Sequence, residues 1–517
     1  MRRASAGFGF AAGALALATG LAGCAQGNPG DRAAGASHQR TTTTTTTTPP
    51  TTTTTSLLAV TDPPVTPITW TSCNGDLQCG NLVVPLSYTD PGNGQTISIA
   101  VARHPAEVPA DRIGSLVIDP GGPGVSGVDD MANELSVLSP GLLDDFDIVM
   151  FDPRGVERSD PVTCGETPGS PPTPLPDPVP TTPSEQSATI ASFRQYADAC
   201  QNASGTVLPY VGTVDAARDM ERLRIALGDS GLSYMGQSYG TLLGLTYASM
   251  FPTHVHAMVL DSVIDPALTL NQLTEGQADG FEASLQAFFS WCAGTSACPW
   301  HNGADPTNTL LAQIASSEAN PVPAGGSRTA GAGELYDALL EGLYSETDWS
   351  ELGDALAADV AGNGAPVVTM SDHYNENGSS NGDDAAVAID CLDHPASQDL
   401  GAYSYLADLF KASAPVFGPL LAWGEASCAV WPAPPTRTVG PVSAKGSPPI
   451  LVVGTTGDPA TPYAWAVNVA HELSRGVLLT RDGVDHVAYF YSTCVRGYVE
   501  AYLVSGATPA SGTTCTS

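Results

Sequence analysis

The stretch 232–240 (LSYMGQSYG) decides the fold of this chain. Its first four residues predict a buried strand, and a helical pattern follows over 241–250. Between them lies G-x-S-x-G, which in a strand–turn–helix context exposes the serine above a sheet. The Ser238 hydroxyl would then stand at a helix N-terminus, where backbone N–H groups face developing negative charge. The stretch therefore predicts a nucleophilic serine on a tight turn.

The same pattern occurs a second time, at 378–382 (GSSNG). There the flanking residues are Asn, Glu, Asp and Gly, and no strand-like run precedes them. Ser380 is therefore interpreted as part of a polar loop, and Ser238 as the nucleophile, because the context and not the pattern carries the inference.

Strand-like apolar runs lie on both sides of the Ser238 turn. They are 115–119, 147–151, 232–235, 257–261, 450–453 and 477–479. Several are continuously apolar, as expected of parallel strands buried on both faces. Helical patterns at 215–227 and 241–250 lie between some of them. This alternation predicts the α/β fold class, with an open, mostly parallel sheet and helices on both faces.

The pattern changes between about 267 and 437, where Ala, Leu and acidic residues recur with helical periodicity. We interpret this part as a mostly helical cap inserted into the sheet.

The stretch 169–183 is too rich in proline for regular structure and predicts a surface loop. The expected units are a signal peptide (1–23), a disordered Thr/Pro-rich stalk (24–65), a first core part (66–266), the cap (267–437) and a C-terminal core part (438–517).

A hydrolytic serine needs a general base, and the base needs an orienting acid. Asp458 comes just past the run 450–453, and His486 just past the run 477–479. Because parallel strands end at one edge of a sheet, both side chains are expected beside Ser238. The alternatives are that Asp458 caps a helix before Pro459 and that His486 is structural.

The serine also needs donors for the oxyanion. One is the N–H of Tyr239, which follows the nucleophile. The other is expected in the loop 119–124 (DPGGPG), where we choose the N–H of Gly122. The alternative is a plain glycine-rich turn. Phosphate binding of the P-loop type is disfavoured, because no G-K-[ST] is present.

The N-terminus predicts export. Arg2 and Arg3 precede an apolar run that ends in 21–24 (LAGC), which resembles a bacterial lipobox. Cys24 would then be acylated and tie the protein to a membrane. The alternative is ordinary signal cleavage beside a chance cysteine.

Cysteine usage agrees with export, because ten of the 11 cysteines remain when Cys24 is set aside. Many connectivities are possible for ten. Nearest neighbours in sequence suggest the pairs 73–79, 164–200, 292–298, 391–428 and 494–515. A zinc site is disfavoured, since no C-x-x-C pair occurs.

The net charge of the chain limits the classes of partner that it can bind. Asp and Glu number 53 against 19 Lys and Arg, so the formal net charge is −34. Such an acidic surface would be repelled by a phosphate backbone, which argues against nucleic acid as a partner. Only the N-terminal apolar run approaches membrane-spanning length, which excludes a polytopic membrane protein.

Several sequence motifs of the chain resemble those of the proline iminopeptidase and tripeptidyl aminopeptidase branch of the α/β hydrolases. The similar stretches are 121–127 (GGPGVSG), 151–155 (FDPRG), 236–240 (GQSYG), 68–86, and the end from Gly457 to Cys515. The resemblance spans about 66–517 and is weakest in the insertion. It also extends to lipid-anchored cell-wall hydrolases of mycobacteria, some of which act as esterases or endoproteases.

The resemblance implies a serine hydrolase that removes short peptides from free N-termini without a metal or cofactor. Ser238 would be the nucleophile, Asp458 the orienting acid, and His486 the general base and then acid. Peptidases of this branch hold the substrate ammonium with carboxylates of the cap, for which Asp390, Asp393 and Glu425 are candidates; the alternative is an ordinary acidic surface. The chain departs from the family pattern at Val125, Glu157 and Asp485.

Two other functions stay open. A carboxylesterase or lipase would use the same triad, because the acyl chemistry is shared. A lipoprotein without catalysis could bind peptides or the cell wall on a hydrolase scaffold, although the complete Ser, Asp and His set argues against it.

Overall fold

The computed structural model describes residues 63–165, 175–300, 303–375 and 380–516. The predicted signal peptide, Cys24 and the stalk up to residue 62 lie outside these ranges, as do 169–174 of the predicted proline-rich loop. The strands are β1 (Thr71–Ser72), β2 (Gln78–Pro85), β3 (Thr96–His104), β4 (Gly114–Asp119), β5 (Phe146–Phe151), β6 (Leu232–Gln237), β7 (Val255–Asp261), β8 (Val322–Gly325), β9 (Arg328–Ala330), β10 (Ile450–Thr455), β11 (Gly476–Arg481) and β12 (Thr514–Cys515). The helices are α1 (Gly127–Leu135), α2 (Pro140–Asp145), α3 (Pro183–Ser204), α4 (Thr213–Leu227), α5 (Tyr239–Met250), α6 (Leu270–Gly294), α7 (Pro306–Ala319), α8 (Ala332–Leu343), α9 (Trp349–Val360), α10 (Ala365–Asn375), α11 (Gly382–Asp393), α12 (Gly401–Phe410), α13 (Phe417–Gly424), α14 (Ala426–Ala429), α15 (Tyr463–Glu472), α16 (Ala488–Tyr491) and α17 (Thr493–Ser505).

Ten strands of the described residues form one sheet in the order β1-β2-β3-β5-β4-β6-β7-β10-β11-β12. The pairs from β5 to β12 are parallel, and β1, β2 and β3 add an antiparallel edge. All six predicted runs are strands here, and every residue of β5, β6 and β10 is buried. The predicted α/β class with a mostly parallel sheet is confirmed, and the central position of β6 places the turn after it in the middle of the molecule.

Helices cover both faces of the sheet. Residues of α4, α5 and α15 pack with strand side chains into one buried apolar cluster, and residues of α1 and α17 pack into another. The alternating burial of β2 reflects the antiparallel edge, where one face is exposed. The C-terminal ends of the central parallel strands therefore lie side by side along one end of the sheet, between the two layers of helices.

The insertion between β7 and β10 is mostly helical, as predicted, and runs from α6 to α14. It also contains the short hairpin β8–β9, which the sequence did not predict. Aromatic side chains build a separate core within it, including Phe281, Phe288 and Trp349. The long helix α6 begins with a capping box formed by Thr269 and Gln272, which fixes its start directly after the sheet.

Asn381 fastens the insertion to the sheet layer. Its amide nitrogen donates to the carbonyls of Gly155 and Val162, both at 2.8 Å, and its amide oxygen accepts from the N–H of Glu157 at 2.9 Å. The neighbouring Ser380 N–H donates to the Glu157 carboxylate. Helix α10 precedes this segment, so the second G-x-S-x-G stretch follows no strand in the described residues. We call the contacts of Asn381 the latch.

Five disulfides join the described cysteines, and all five predicted nearest-neighbour pairs are confirmed. Multiple disulfides indicate an exported protein, because they persist in oxidising compartments. Within the described ranges, no helix is long and apolar enough to cross a membrane.

Candidate active site

Ser238 lies on a sharp turn between β6 and α5. Its φ of 53° and ψ of −123° fall outside the regions that L residues prefer. The turn is this tight because Gly236 lies against Gly240: a Cβ added at Gly236 would come within 2.4 Å of the Gly240 carbonyl oxygen. The two glycines of the motif thus permit a backbone that holds the serine above the sheet, as the sequence predicts for a nucleophile elbow.

Asp458 and His486 are in contact. His486 Nδ1 lies 2.8 Å from Asp458 Oδ1, and both side chains are buried. Asp458 follows β10 and His486 follows β11, so the two neighbouring strands bring them to one edge. The alternative of a helix cap does not apply to Asp458, because α15 begins only at Tyr463.

Four further donors hold the Asp458 carboxylate. Oδ1 accepts from the N–H groups of Ala460 at 3.0 Å and Thr461 at 2.9 Å. Oδ2 accepts from the hydroxyls of Thr461 at 2.9 Å and Ser262 at 2.7 Å. This arrangement leaves the carboxylate one orientation, which faces the imidazole of His486.

Ser238 Oγ and His486 Nε2 are the two reacting atoms of the predicted triad, and neither has a hydrogen-bond partner among the described residues. Ser238 has no exposed surface and His486 is 5% exposed. The last residue of β7, Asp261, links the backbone at Ser238 to the loop that carries His486. The backbone N–H of Ser238 donates to the Asp261 carbonyl at 3.0 Å. The Asp261 carboxylate accepts from the N–H groups of Ala488 and Tyr489, next to the His486 loop. Catalytic hydrogen bonds often form only with substrate bound, so the triad roles stay predictions.

The predicted oxyanion loop lies against the nucleophile. Gly121 has a φ of 96°, and a Cβ there would lie 3.1 Å from Ser238 Cβ and 3.0 Å from the Tyr239 nitrogen. The N–H of Gly121 donates to Asp119 Oδ1 at 3.0 Å, which ties the loop to the end of β4. Burial raises the pKa of Asp119 to about 7. The backbone of Gly121, next to Gly122, thus lies beside the serine and Tyr239, and the roles of Gly122 and Tyr239 as oxyanion donors stay predictions.

Asp485 departs from the family pattern directly before His486, yet it is turned away from the imidazole. Its carboxylate accepts from the Ser345 hydroxyl at 2.8 Å and pairs with Arg481. The backbone N–H of His486 donates to the backbone carbonyl of Tyr344 at 3.0 Å. The centroids of the Tyr344 and His486 rings lie 5.4 Å apart. The insertion therefore contacts the predicted base directly.

The three carboxylates considered for the substrate ammonium are buried or engaged. Asp393 accepts from the N–H and the hydroxyl of Thr213, and burial raises its pKa to about 6. Burial also raises the pKa of Asp390 well above its ordinary value and that of Glu425 to about 7. The Thr213 hydroxyl in turn lies 2.5 Å from the Tyr239 hydroxyl. Through Thr213, Asp393 therefore helps to fix Tyr239, the first residue of α5.

Sequence reasoning missed Ser262, Thr461 and Tyr344. Ser262 follows the predicted run 257–261 directly, so the strand-end rule that found Asp458 could have found it. Thr461 lies three residues past Asp458. Tyr344 comes from the insertion, and no local signal links it to His486.

Comparisons with known proteins identify the family of this chain. A family model described as TAP-like protein matches residues 414–515. Serine protease Hip1 of Mycobacterium tuberculosis is 36% identical over 482 residues, which cover 87% of this chain and 91% of the relative. Tripeptidyl aminopeptidase of Streptomyces coelicolor is 32% identical over 470 residues, covering 87% and 86%. The chain belongs to the TAP-like family of α/β hydrolases.

The TAP-like relatives also include carboxylesterase B of Mycobacterium tuberculosis, 32% identical over 473 residues, which cover 86% of this chain and 89% of that one. Among solved structures, an α/β-hydrolase fold protein from Nakamurella multipartita has 12% identity and a TM-score of 0.33, covering 80% of this chain and 96% of that one. As a TAP-like protein the chain is a serine hydrolase, and the expected resemblance is confirmed.

Proposed function

We propose that this TAP-like hydrolase is an exported, lipid-anchored aminopeptidase that releases short peptides from free N-termini through an acyl-enzyme. The proposal rests on a covered nucleophile and on acidic groups of the insertion that neighbour Tyr374, itself a neighbour of Tyr344. Ser238 is fully buried, and Tyr344 of the insertion contacts His486. A covered serine favours a chain end over the middle of a folded protein.

The acidic groups lie around Tyr374, which is buried in the insertion. Burial is the main cause that raises the pKa of this phenol well above its ordinary value. The neighbouring groups that raise it further are Tyr344, Asp337, Asp383 and Glu341. Of the three carboxylates, Asp337 accepts from Ser371 and Asn375 and is buried deepest, and Asp383 and Glu341 are half-buried and so reach the surface.

Asp383 also lies next to the oxyanion loop. It follows Gly382, and a Cβ added at Gly124 would come within 2.4 Å of the Gly382 carbonyl oxygen. A carboxylate near the reacting centre favours a substrate ammonium, and a neutral ester gains nothing from it. We therefore propose that Asp383 and Glu341, in preference to the sequence candidates Asp390, Asp393 and Glu425, attract the free N-terminus.

The proposed reaction uses the predicted triad, in which Asp458 and His486 are in contact. Ser238 Oγ attacks the carbonyl carbon of the scissile bond while His486 Nε2 takes its proton. Asp458 orients the imidazole through Nδ1 and stabilises the imidazolium. The oxyanion is received by the N–H groups of Gly122 and Tyr239. His486 then gives the proton to the leaving amine, and water, deprotonated by the same imidazole, releases the peptide from the serine ester.

One comparison tests the substrate class. We expect rapid cleavage of a tripeptidyl p-nitroanilide with a free N-terminus and much slower cleavage of its N-acetylated form. The variants Asp383→Asn and Glu341→Gln should raise KM for the free peptide and leave p-nitrophenyl butyrate hydrolysis unchanged. Asp354→Asn, an exposed change on α9, is the control. Equal cleavage of free and acetylated peptides would contradict the aminopeptidase proposal.

Carboxylesterase activity is the second candidate, because a TAP-like relative of similar identity carries the name carboxylesterase B. Hydrolysis of short p-nitrophenyl esters without cleavage of any free peptide would favour it. A fluorophosphonate probe tests both enzymes against a lipoprotein without catalysis: it should label the wild type and leave Ser238→Ala unlabelled.

The membrane anchor rests on the LAGC stretch that ends at Cys24, which lies outside the described residues. We propose that acylated Cys24 and the stalk (24–65) hold the catalytic part, built from 66–266, 267–437 and 438–517, at the outer face of the cell membrane. In cell fractionation, Cys24→Ala should move the protein from the membrane to the soluble fraction. Unchanged retention would contradict the anchor.

A further inference from the structure

Ser262 occupies a backbone conformation that favours glycine. It is the first residue after β7, is 1% exposed, and has a φ of 59°. In this left-handed region the Cβ of an L residue lies too close to the backbone, so only glycine enters it at little cost. A serine at such a position indicates that contacts of its side chain offset the strain of its backbone.

The Ser262 hydroxyl joins the predicted acid to the loop of the predicted base. It donates to Asp458 Oδ2 at 2.7 Å and accepts from the N–H of Val487 at 2.7 Å. Because the Val487 N–H can only donate, the hydroxyl proton is committed to the carboxylate. Val487 follows His486 and itself has a φ of 64°, which is unusual for a β-branched residue.

We propose that Ser262 is a positioning residue of the hydrolase. Its hydroxyl fixes the orientation of the Asp458 carboxylate and the distance of the His486 loop from it, so that Nε2 of the imidazole is held toward Ser238. The proposal rests on the triad roles given above. It adds a fourth side chain that touches no substrate and acts through the orienting acid.

A merely structural role for Ser262 makes a different prediction. If the hydroxyl only tied β7 to the His486 loop, its loss would lower stability and activity together. The left-handed backbone separates the two roles, because glycine removes the hydroxyl and at the same time relieves the strain of the Cβ.

The test compares Ser262→Gly with Ser262→Thr. Ser262→Gly should unfold close to the wild-type temperature, because relief of the backbone strain offsets the two lost hydrogen bonds. Its kcat should fall about 10- to 100-fold, the range for loss of a hydrogen bond to a charged group, with KM unchanged. The rate of Ser238 labelling by a fluorophosphonate should fall in parallel. Ser262→Thr keeps the hydroxyl and adds a β-branch, so it should retain labelling and unfold at a lower temperature.

Ala444→Gly is the matched control. Ala444 is also buried in a left-handed conformation, with a φ of 44°, but precedes β10 at the opposite edge of the sheet. It should gain stability, because the strain is relieved with no loss of a side-chain hydrogen bond, and it should keep wild-type activity. Wild-type kcat in Ser262→Gly, or a loss explained by its unfolding, would overturn the proposal for Ser262. Absence of labelling in the wild type would instead overturn the proposed hydrolase chemistry.

Discussion

At the scale of single residues, the site depends on how firmly Asp458 is held. Its two oxygens accept five hydrogen bonds, counting that of His486 and those of the described neighbours. A carboxylate in this setting can only accept, so every surrounding donor is satisfied. An amide at the same place would present an N–H₂ group to one set of these donors.

Asp458→Asn should therefore keep the fold and lose the reaction. We expect kcat to fall by about 10⁴-fold, because an amide favours the wrong tautomer of His486. The measurement is peptide and ester turnover, with circular dichroism to check the fold. Asp482→Asn, a change of an exposed carboxylate in the loop that carries His486, should keep full turnover. Turnover within tenfold of wild type for Asp458→Asn would show that another acid orients the base.

The sequence predicted three residues of this site and missed those that support them. Ser238, Asp458 and His486 each follow a recognisable apolar run, and parallel strands bring such positions to one edge. Ser262 was missed although it follows such a run, because serine after a strand is common in turns. Its role depends on two loops, at Asp458 and Val487, that meet only in the folded chain.

At the scale of elements, the position of α11 depends on the latch. Asn381 makes its contacts with backbone groups of the loop after β5, while Gly382 lies against Gly124 of the oxyanion loop. The helix that carries Asp383 is therefore fixed to the sheet layer at its first turn.

Asn381→Ala should loosen this end of α11. Loss of a buried side chain with three hydrogen bonds, leaving backbone groups unpaired, should lower the free energy of unfolding by about 1–3 kcal/mol. Thermal unfolding measures this, and KM for the free peptide should rise more than kcat falls, because Asp383 is displaced. Asn202→Ala, an exposed change on α3, is the control. An unchanged unfolding temperature would contradict the latch.

The elements differ in how far their own residues determine them. The parallel strands were predictable because burial on both faces makes their runs continuously apolar, as in β10. Strands β2 and β3 were not among the predicted runs, since an antiparallel edge alternates apolar and polar residues. The hairpin β8–β9 is short, and the helices of the insertion give few boundary signals beyond the capping box at Thr269.

At the scale of the whole molecule, the pH dependence of stability is set by buried carboxyl groups as well as by the net charge of −34. Burial raises the pKa of both Asp119 and Glu425 to about 7, whereas their ordinary values are 3.8 and 4.5. Between these values and pH 7 the folded state binds more protons than the unfolded state. The stability they contribute is complete at low pH and is lost as pH rises through 7.

We therefore expect the protein to be more stable at pH 6 than at pH 8, by about 1 kcal/mol for each of the two carboxyl groups. Self-repulsion of the acidic surface acts in the same direction. His394 opposes part of this trend, because burial lowers its pKa to about 3 from an ordinary 6.5. At pH 6 the unfolded state therefore binds a proton at His394 that the folded state does not, which costs less than the two carboxyl groups contribute together. Thermal unfolding at pH 6, 7 and 8 in constant salt measures the balance.

Glu425→Gln isolates one of these groups. An amide is neutral at every pH, as the buried carboxyl group is at pH 6, so the variant should match the wild type there within about 1 kcal/mol. At pH 8 it should unfold at a higher temperature than the wild type, because the wild type must hold a charge in an apolar setting. Its dependence on pH should be correspondingly flatter. A wild type most stable at pH 8, or a variant with the same pH dependence, would mean that Glu425 is ionised throughout this range and that its environment stabilises the charge.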